Sequence, residues 1–204
     1  RDLHSFPTRR SSDLRDLFYS DNFCQGIREG HELKMFVPGG GSAPWLFPEQ
    51  VDLPLEASAV GAAGSMLGSG AIIVMDETTD AVKAALRLVR FYARESCGKC
   101  TPCREGTTWE ERVMQRILDG EGRPSDIDML LDIADNISPG PYPVAADPSQ
   151  GLEAVPFPPK QTTICPLGPS SVAPIASTIR RFRHEYDAKI TKRDTIPVTV
   201  EALS

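Results

Sequence analysis

The sequence predicts an α+β chain in which a short strand-bearing segment precedes a bundle of four helices. Three observations carry this. Two brief apolar runs, Leu33 to Val37 and Ala71 to Met75, are bounded by glycines. Four stretches from Val82 onward repeat apolar residues at helical spacing. Between the first two of these lies a loop with three cysteines, Cys97-Gly-Lys-Cys100-Thr-Pro-Cys103.

Residues 1–14 (RDLHSFPTRRSSDL) show neither helical nor strand period. The string also reads, in one frame, as the translation of a short-read sequencing adapter, so it is expected to be a disordered artefact. From Arg15, Leu17, Phe18 and Phe23 suggest a helix, followed by a turn and the strand Leu33 to Val37, which Pro38-Gly39-Gly40-Gly41 stops. Trp45 to Glu56 is rich in proline and acid and reads as a linker to the glycine-spaced segment Gly61 to Gly70 and the second strand. Neither glycine run matches a phosphate-binding pattern, so turns and close backbone packing are expected.

Thr79 and Asp80 can cap the first helix of the bundle, with Val82, Ala85, Leu86, Val89 and Phe91-Tyr92 on one face. Capping boxes at Thr107 and Glu110, or Thr108 and Glu111, suggest that the second helix begins there, lined by Trp109, Val113 and Ile117 and ended by Gly120. Ser125 and Asp128 open the third, with Ile127, Leu130, Leu131, Ala134 and Ile137 inward. The fourth is expected after Ser170 or Ser171, with Val172, Ile175, Ile179, Phe182 and Tyr186 on one stripe. The proline-rich stretch 138–164 reads as an irregular surface loop.

Bulk properties exclude several classes of function. A net charge of -6 gives no general attraction to nucleic acid. The apolar runs fall short of the ~20 residues that a membrane-spanning helix needs. Five cysteines, an odd number with three packed into one loop, argue against a disulfide framework and for thiolates used as metal ligands. Three thiolates two residues apart can wrap three corners of an iron–sulfur cubane, which takes four. Cys165, followed by Pro166, is the best fourth ligand; Cys24, beside Phe23, is the other choice and reads better as a buried small hydrophobe. A structural zinc site would more often draw on two C-x-x-C pairs. Lys99, Arg104 and the start of the second helix would favour an anionic group in the loop. His4, His31 and His184 suggest no catalytic role.

The stretch Phe91-Tyr-Ala-Arg-Glu-Ser-Cys-Gly-Lys-Cys-Thr-Pro-Cys-Arg-Glu-Gly106 resembles the cluster-binding signature of the NADH-binding (51 kDa or F) flavoprotein subunit of respiratory complex I. Val37-Pro-Gly-Gly-Gly-Ser, Asp52-Leu-Pro-Leu, Ala63-Gly-Ser-Met-Leu-Gly-Ser-Gly-Ala and Thr163-Ile-Cys-Pro-Leu-Gly extend the resemblance over roughly residues 15–190. It implies one 4Fe-4S cluster on Cys97, Cys100, Cys103 and Cys165, passing electrons from FMN toward quinone. It also implies a truncated β-grasp-like (SLBB-type) remnant with its linker over 15–76, a helical cluster-binding domain over 77–190 and a tail over 191–204. FMN and NADH belong to the full-length family member, whose flavin-domain glycine-rich loop has no counterpart here; this fragment is expected to be inactive alone. The implied partners are the 2Fe-2S thioredoxin-like subunit and the large iron–sulfur subunit, at the cytoplasmic face of the cell membrane. The same architecture serves NAD-linked hydrogenases and formate dehydrogenases, and a zinc-stabilised interaction module is the reading from another class.

Overall fold

The computed structural model describes residues 13–21, 23–139 and 162–190. They divide into two compact units between Thr79 and Asp80. Together the units give a helix-rich α+β architecture with one two-stranded sheet.

The first unit contains α1 (Asp13–Tyr19), β1 (Leu33–Val37), α2 (Ala57–Ala62) and β2 (Ile73–Asp76). The strands pair antiparallel, with Val37 opposite Ile73 and Leu33 opposite Asp76, and the register is irregular between Leu33 and Met35. Met35, Phe36 and Val37 are buried in succession, so this strand is covered on both faces and lacks the alternation of a half-exposed one. Phe36 anchors a core with Leu14, Phe18, Leu46, Val51 and Val60. Phe18 meets its ring edge-on at 5.2 Å.

Four expectations for this unit need correction. Residues 1–12 lie outside the described residues, but Asp13 and Leu14 open α1, and Leu14 is fully buried. Leu14 and Phe18 stand four apart on one helical face, so the apolar period reaches back into the segment read as a tail. The supposed linker supplies core, since Trp45, Leu46, Phe47 and Val51 are all buried. Leu46 bridges to Phe36, exchanging backbone hydrogen bonds of 2.8 and 2.9 Å. Cys24 is exposed, not buried. The second strand starts at Ile73, because the Ala71 carbonyl accepts the Gly40 N–H at 2.8 Å instead of joining the sheet. Close backbone packing does explain the glycines: a Cβ on Gly39 would stand 2.2 Å from the Met66 carbonyl oxygen.

The second unit holds α3 (Ala81–Glu95), α4 (Thr101–Leu118), α5 (Asp126–Ile137) and α6 (Leu167–Ile190). α3 packs on α4 and α6, α4 also on α5 and α6, and α5 on α6. Val82, Ala85, Leu86, Val89 and Tyr92 form the buried face of α3, while Phe91 turns outward at 54% exposure. Val113 and Ile117 are buried on α4, but Trp109 is 53% exposed. On α5, Ile133 takes the inward place expected of Leu131. The stripe expected on α6 is buried throughout.

Side chains fix how these helices meet. Asp80 caps α3 by accepting the Lys83 N–H at 2.9 Å, and Glu185 of α6 accepts the Ala81 N–H at 2.9 Å. Lys189 reaches Asp80 at 2.6 Å, so the start of α3 is clipped to the end of α6. Arg116 of α4 donates from Nε to the buried Asp126 of α5 at 2.9 Å, and Asp126 also accepts the Arg123 N–H at 2.8 Å. α6 carries Pro174 and departs from helical geometry at Phe182 (φ -122°, ψ 32°). Thr178 donates to the Pro174 carbonyl at 2.6 Å and lies 2.7 Å from the Tyr186 hydroxyl, tying the two sides of that break. Of the stretch 138–164, residues 140–161 lie outside the described residues, as does 191–204. Where the chain resumes, Thr162 bonds the Asn136 carbonyl at 2.8 Å at the end of α5.

Two helix starts differ from expectation. α4 begins at Thr101, inside the cysteine motif, with Cys100 as its N-cap residue. Pro102 falls in its first two positions, where a missing N–H breaks no helical bond. Thr107 and Thr108 are therefore interior, and their hydroxyls donate to the Cys103 and Arg104 carbonyls at 2.7 and 3.1 Å. α6 likewise begins at Leu167, and Ser170 and Ser171 bond back to the Pro166 and Gly168 carbonyls.

The supposed capping residue Glu110 is fully buried in α4, and neither carboxylate oxygen has a hydrogen-bond partner. Burial pushes its carboxyl well above the usual range. An acid whose folded pKa is raised adds no penalty while both states are protonated, and it costs stability as pH rises from the unfolded pKa toward the folded one. Denaturant melts are therefore expected to show stability falling as pH rises above the ordinary carboxylate range, and Glu110→Gln to flatten the fall. Glu110→Leu should stabilise the chain at pH 8 by roughly 1–3 kcal/mol. Destabilisation by Glu110→Leu would show that the carboxyl has a partner.

Candidate metal centre

α3 ends at Glu95, and its C-cap residue Ser96 donates its N–H to the Tyr92 carbonyl at 3.0 Å. The chain then leaves the helix in extended geometry and presents Cys97 to solvent. Gly98 turns it back at φ +77°, a conformation that a Cβ would oppose. Arg104 locks that turn from α4, its guanidinium donating to the Gly98 carbonyl at 2.8 Å. Cys100 follows at the N-cap of α4, and Cys103 sits one turn into the helix with only 8% exposure.

Cys165 comes to this loop from the other side of the sequence. The Ile164 N–H donates to the Cys100 sulfur at 3.3 Å, and the Thr163 hydroxyl bonds the Cys165 carbonyl at 2.9 Å. Gly168 allows Thr163 to pack beneath it, because a Cβ there would lie 2.7 Å from the Thr163 hydroxyl oxygen. Cys165 is exposed, and Ile164 beside it is 77% exposed. Burial raises the pKa of the Cys103 thiol, a contact with Ser96 lowers it, and charge on Cys165, Cys100 and Cys97 raises it further. Cys97, Cys100 and Cys165 are thus close enough to Cys103 for charge on them to act on its thiol. Lys99 is exposed.

This donor set suits a thiolate-held metal group. Four neighbouring thiols lose protons together only when positive charge is placed among them. The N-terminal amides of α4 open into the same loop and favour an anionic ligand set. Sequence reasoning missed Ser96, whose hydroxyl oxygen lies 3.4 Å from the Cys103 sulfur. Its signal was available, since it directly precedes the motif on the capping turn of a helix. A second group was also missed: among the described residues, His31, Asp76 and Glu77 bring three ligand atoms within 4.8 Å of one another. Its carboxylates are already engaged. Glu77 accepts from Glu32 N–H at 2.7 Å and meets His31 at 2.6 Å, and Asp76 pairs with Arg28 at 2.9 Å. It is an ionic junction between the approach to β1 and the end of β2.

Three cysteines on one loop between two helices, approached by the segment of a fourth, make a donor set suited to an iron–sulfur group, and comparison with known proteins makes the class specific. Residues 83–141 match the family described as the NADH-ubiquinone oxidoreductase-F iron-sulfur binding region. The F subunit of NADH-quinone oxidoreductase in Mycobacterium tuberculosis (strain ATCC 25618 / H37Rv) is 42% identical over 177 residues, 87% of this chain and 34% of the relative. Its counterpart in Streptomyces coelicolor is 45% identical over 82% of this chain and 32% of the relative. That of Rickettsia conorii is 39% identical over 86% and 37%. The chain is similar to these F subunits over most of its own length and spans about a third of theirs. Among solved structures, an NAD+-reducing [NiFe]-hydrogenase in the H2-reduced state superposes with a TM-score of 0.59 at 25% identity, covering 78% of this chain and 23% of that one.

In metal-free protein, the buried, raised-pKa Cys103 should alkylate more slowly at pH 8 than the exposed Cys97, Cys165 and Cys24. Time-resolved mass mapping with iodoacetamide measures this. Equal rates at Cys103 and Cys97 would show that the loop opens freely.

Proposed function

We propose that Cys97, Cys100, Cys103 and Cys165 hold one 4Fe-4S cluster, and that the chain is the electron-transfer part of the NADH-oxidising subunit of complex I. The observation that carries this reading is the approach of the Cys165 segment to the loop through the Ile164 N–H on the Cys100 sulfur. It supports Cys165, not the exposed Cys24, as fourth ligand. On this reading α3 to α6 are the cluster-binding four-helix bundle, and the segment from Arg15 onward is a β-grasp-like remnant.

When bound, the cluster supplies one-electron chemistry, taking electrons singly from a flavin that receives hydride from NADH. The chain's own residues hold it. Cys100 and Cys103 ride on the rigid start of α4, Gly98 and Arg104 shape the loop that carries Cys97, and Thr163 and Gly168 seat Cys165. The partners on this reading are the 2Fe-2S thioredoxin-like subunit and the large iron–sulfur subunit of the complex, and quinone would be the final acceptor. Among the described residues no helix is long and apolar enough to cross a membrane, which suits a peripheral place on the cytoplasmic face. The higher identity to complex I subunits supports that setting over an NAD-linked hydrogenase.

A single zinc ion is a poorer fit. Structural zinc sites more often draw on two C-x-x-C pairs, whereas here three cysteines two residues apart share one loop and the fourth comes from a distant segment.

Anaerobically purified protein is expected to contain iron and sulfide in equal amounts, and stoichiometric zinc without sulfide would overturn the assignment. Cys165→Ser should abolish or sharply weaken the low-temperature EPR signal of the reduced protein, while Cys24→Ser leaves it unchanged. The opposite pattern would exchange the two cysteines in the ligand set.

A further inference from the structure

We propose that Ser96 sets the reduction potential of the cluster, its hydroxyl donating a hydrogen bond to the Cys103 sulfur. The inference rests on the reading of Cys103 as a ligand. The oxygen lies 3.4 Å from the sulfur, within hydrogen-bonding distance for that atom. With a free thiol either atom could donate; a ligating thiolate has no proton, so the hydroxyl must be the donor.

Geometry makes the contact persistent. Ser96 is the C-cap residue of a 15-residue helix, and its N–H is held by the Tyr92 carbonyl at 3.0 Å. Cys103 is likewise fixed, one turn inside α4, whose Arg104 N–H bonds the Cys100 carbonyl at 2.9 Å. The bond therefore joins the end of one helix to the start of the next across the cluster loop. Cys103 is buried while Cys97 and Cys165 are exposed, so a dipole aimed at its sulfur is screened less by water.

Reduction adds one negative charge to the cluster and its sulfurs. A fixed O–H directed at one of those sulfurs stabilises the reduced form more than the oxidised form, so it raises the potential. The Ile164 N–H acts similarly on Cys100 but is main-chain and survives substitution. Ser96 is a positioning and tuning residue: it touches a ligand sulfur and leaves the ligand count unchanged.

The test is an EPR-monitored redox titration of anaerobically purified, cluster-loaded protein with dithionite. Ser96→Ala is expected to shift the midpoint negative at unchanged iron and sulfide content, and Ser96→Thr, which keeps the hydroxyl, to restore it. An unchanged midpoint in fully loaded Ser96→Ala overturns the proposal. Should Ser96→Ala not retain the cluster, pulsed EPR of the wild-type protein after exchange into D2O decides. A strongly coupled deuteron borne on oxygen supports the bond, and couplings from nitrogen-borne deuterons alone overturn it. Wild-type protein without iron and sulfide would instead defeat the cluster reading itself.

Discussion

Four thiols cannot share a small volume as thiolates unless positive charge stands among them, and the helical unit is organised around that constraint. Cys97, Cys100 and Cys103 come from a loop closed by Gly98 and Arg104, and Cys165 comes from a segment more than sixty residues later. The chain meets part of the constraint with geometry alone. The N-terminal end of α4 opens toward the thiols, N–H and O–H groups lie on two sulfurs, and one thiol is buried while its neighbours stay wet. Without such a frame, repulsion among the sulfurs would favour protonated, separated cysteines.

That frame depends on four helices whose apolar faces were legible. Val82, Leu86 and Val89, or Ile175, Ile179 and Phe182, recur at helical spacing because burial selects one face of each helix. Cys97, Cys100 and Cys103 were legible for a different reason: their short-range spacing puts three thiols on one loop between two helices. Cys165 could be named from its flanking proline, but its approach to Cys100 is a tertiary fact.

The misreadings have physical causes. The start of α4 was displaced because two capping boxes outweighed Pro102, although a proline in the first turn is itself a start signal. Trp45 to Val51 looked like a linker by composition, yet its apolar side chains enter the core between acids and prolines that stay outside. Glu110 looked like a capping acid because local pattern says nothing about depth. Leu14 was grouped with a polar tail until Phe18, one turn on, gave it a neighbour on the same face.

α6 is 24 residues long, and its backbone leaves helical geometry at Phe182, between the end that follows Cys165 and the end clipped by Lys189 to Asp80. A continuous rod of that length would tie the orientation at the clip to the orientation at Cys165. The break at Phe182 separates the directions of the two segments, and the Thr178–Tyr186 hydrogen bond spans it. The cysteine end and the clipped end can then each settle into their own best register. The seat of Cys165 beside Cys100 and the Lys189–Asp80 clip therefore need not share one straight axis.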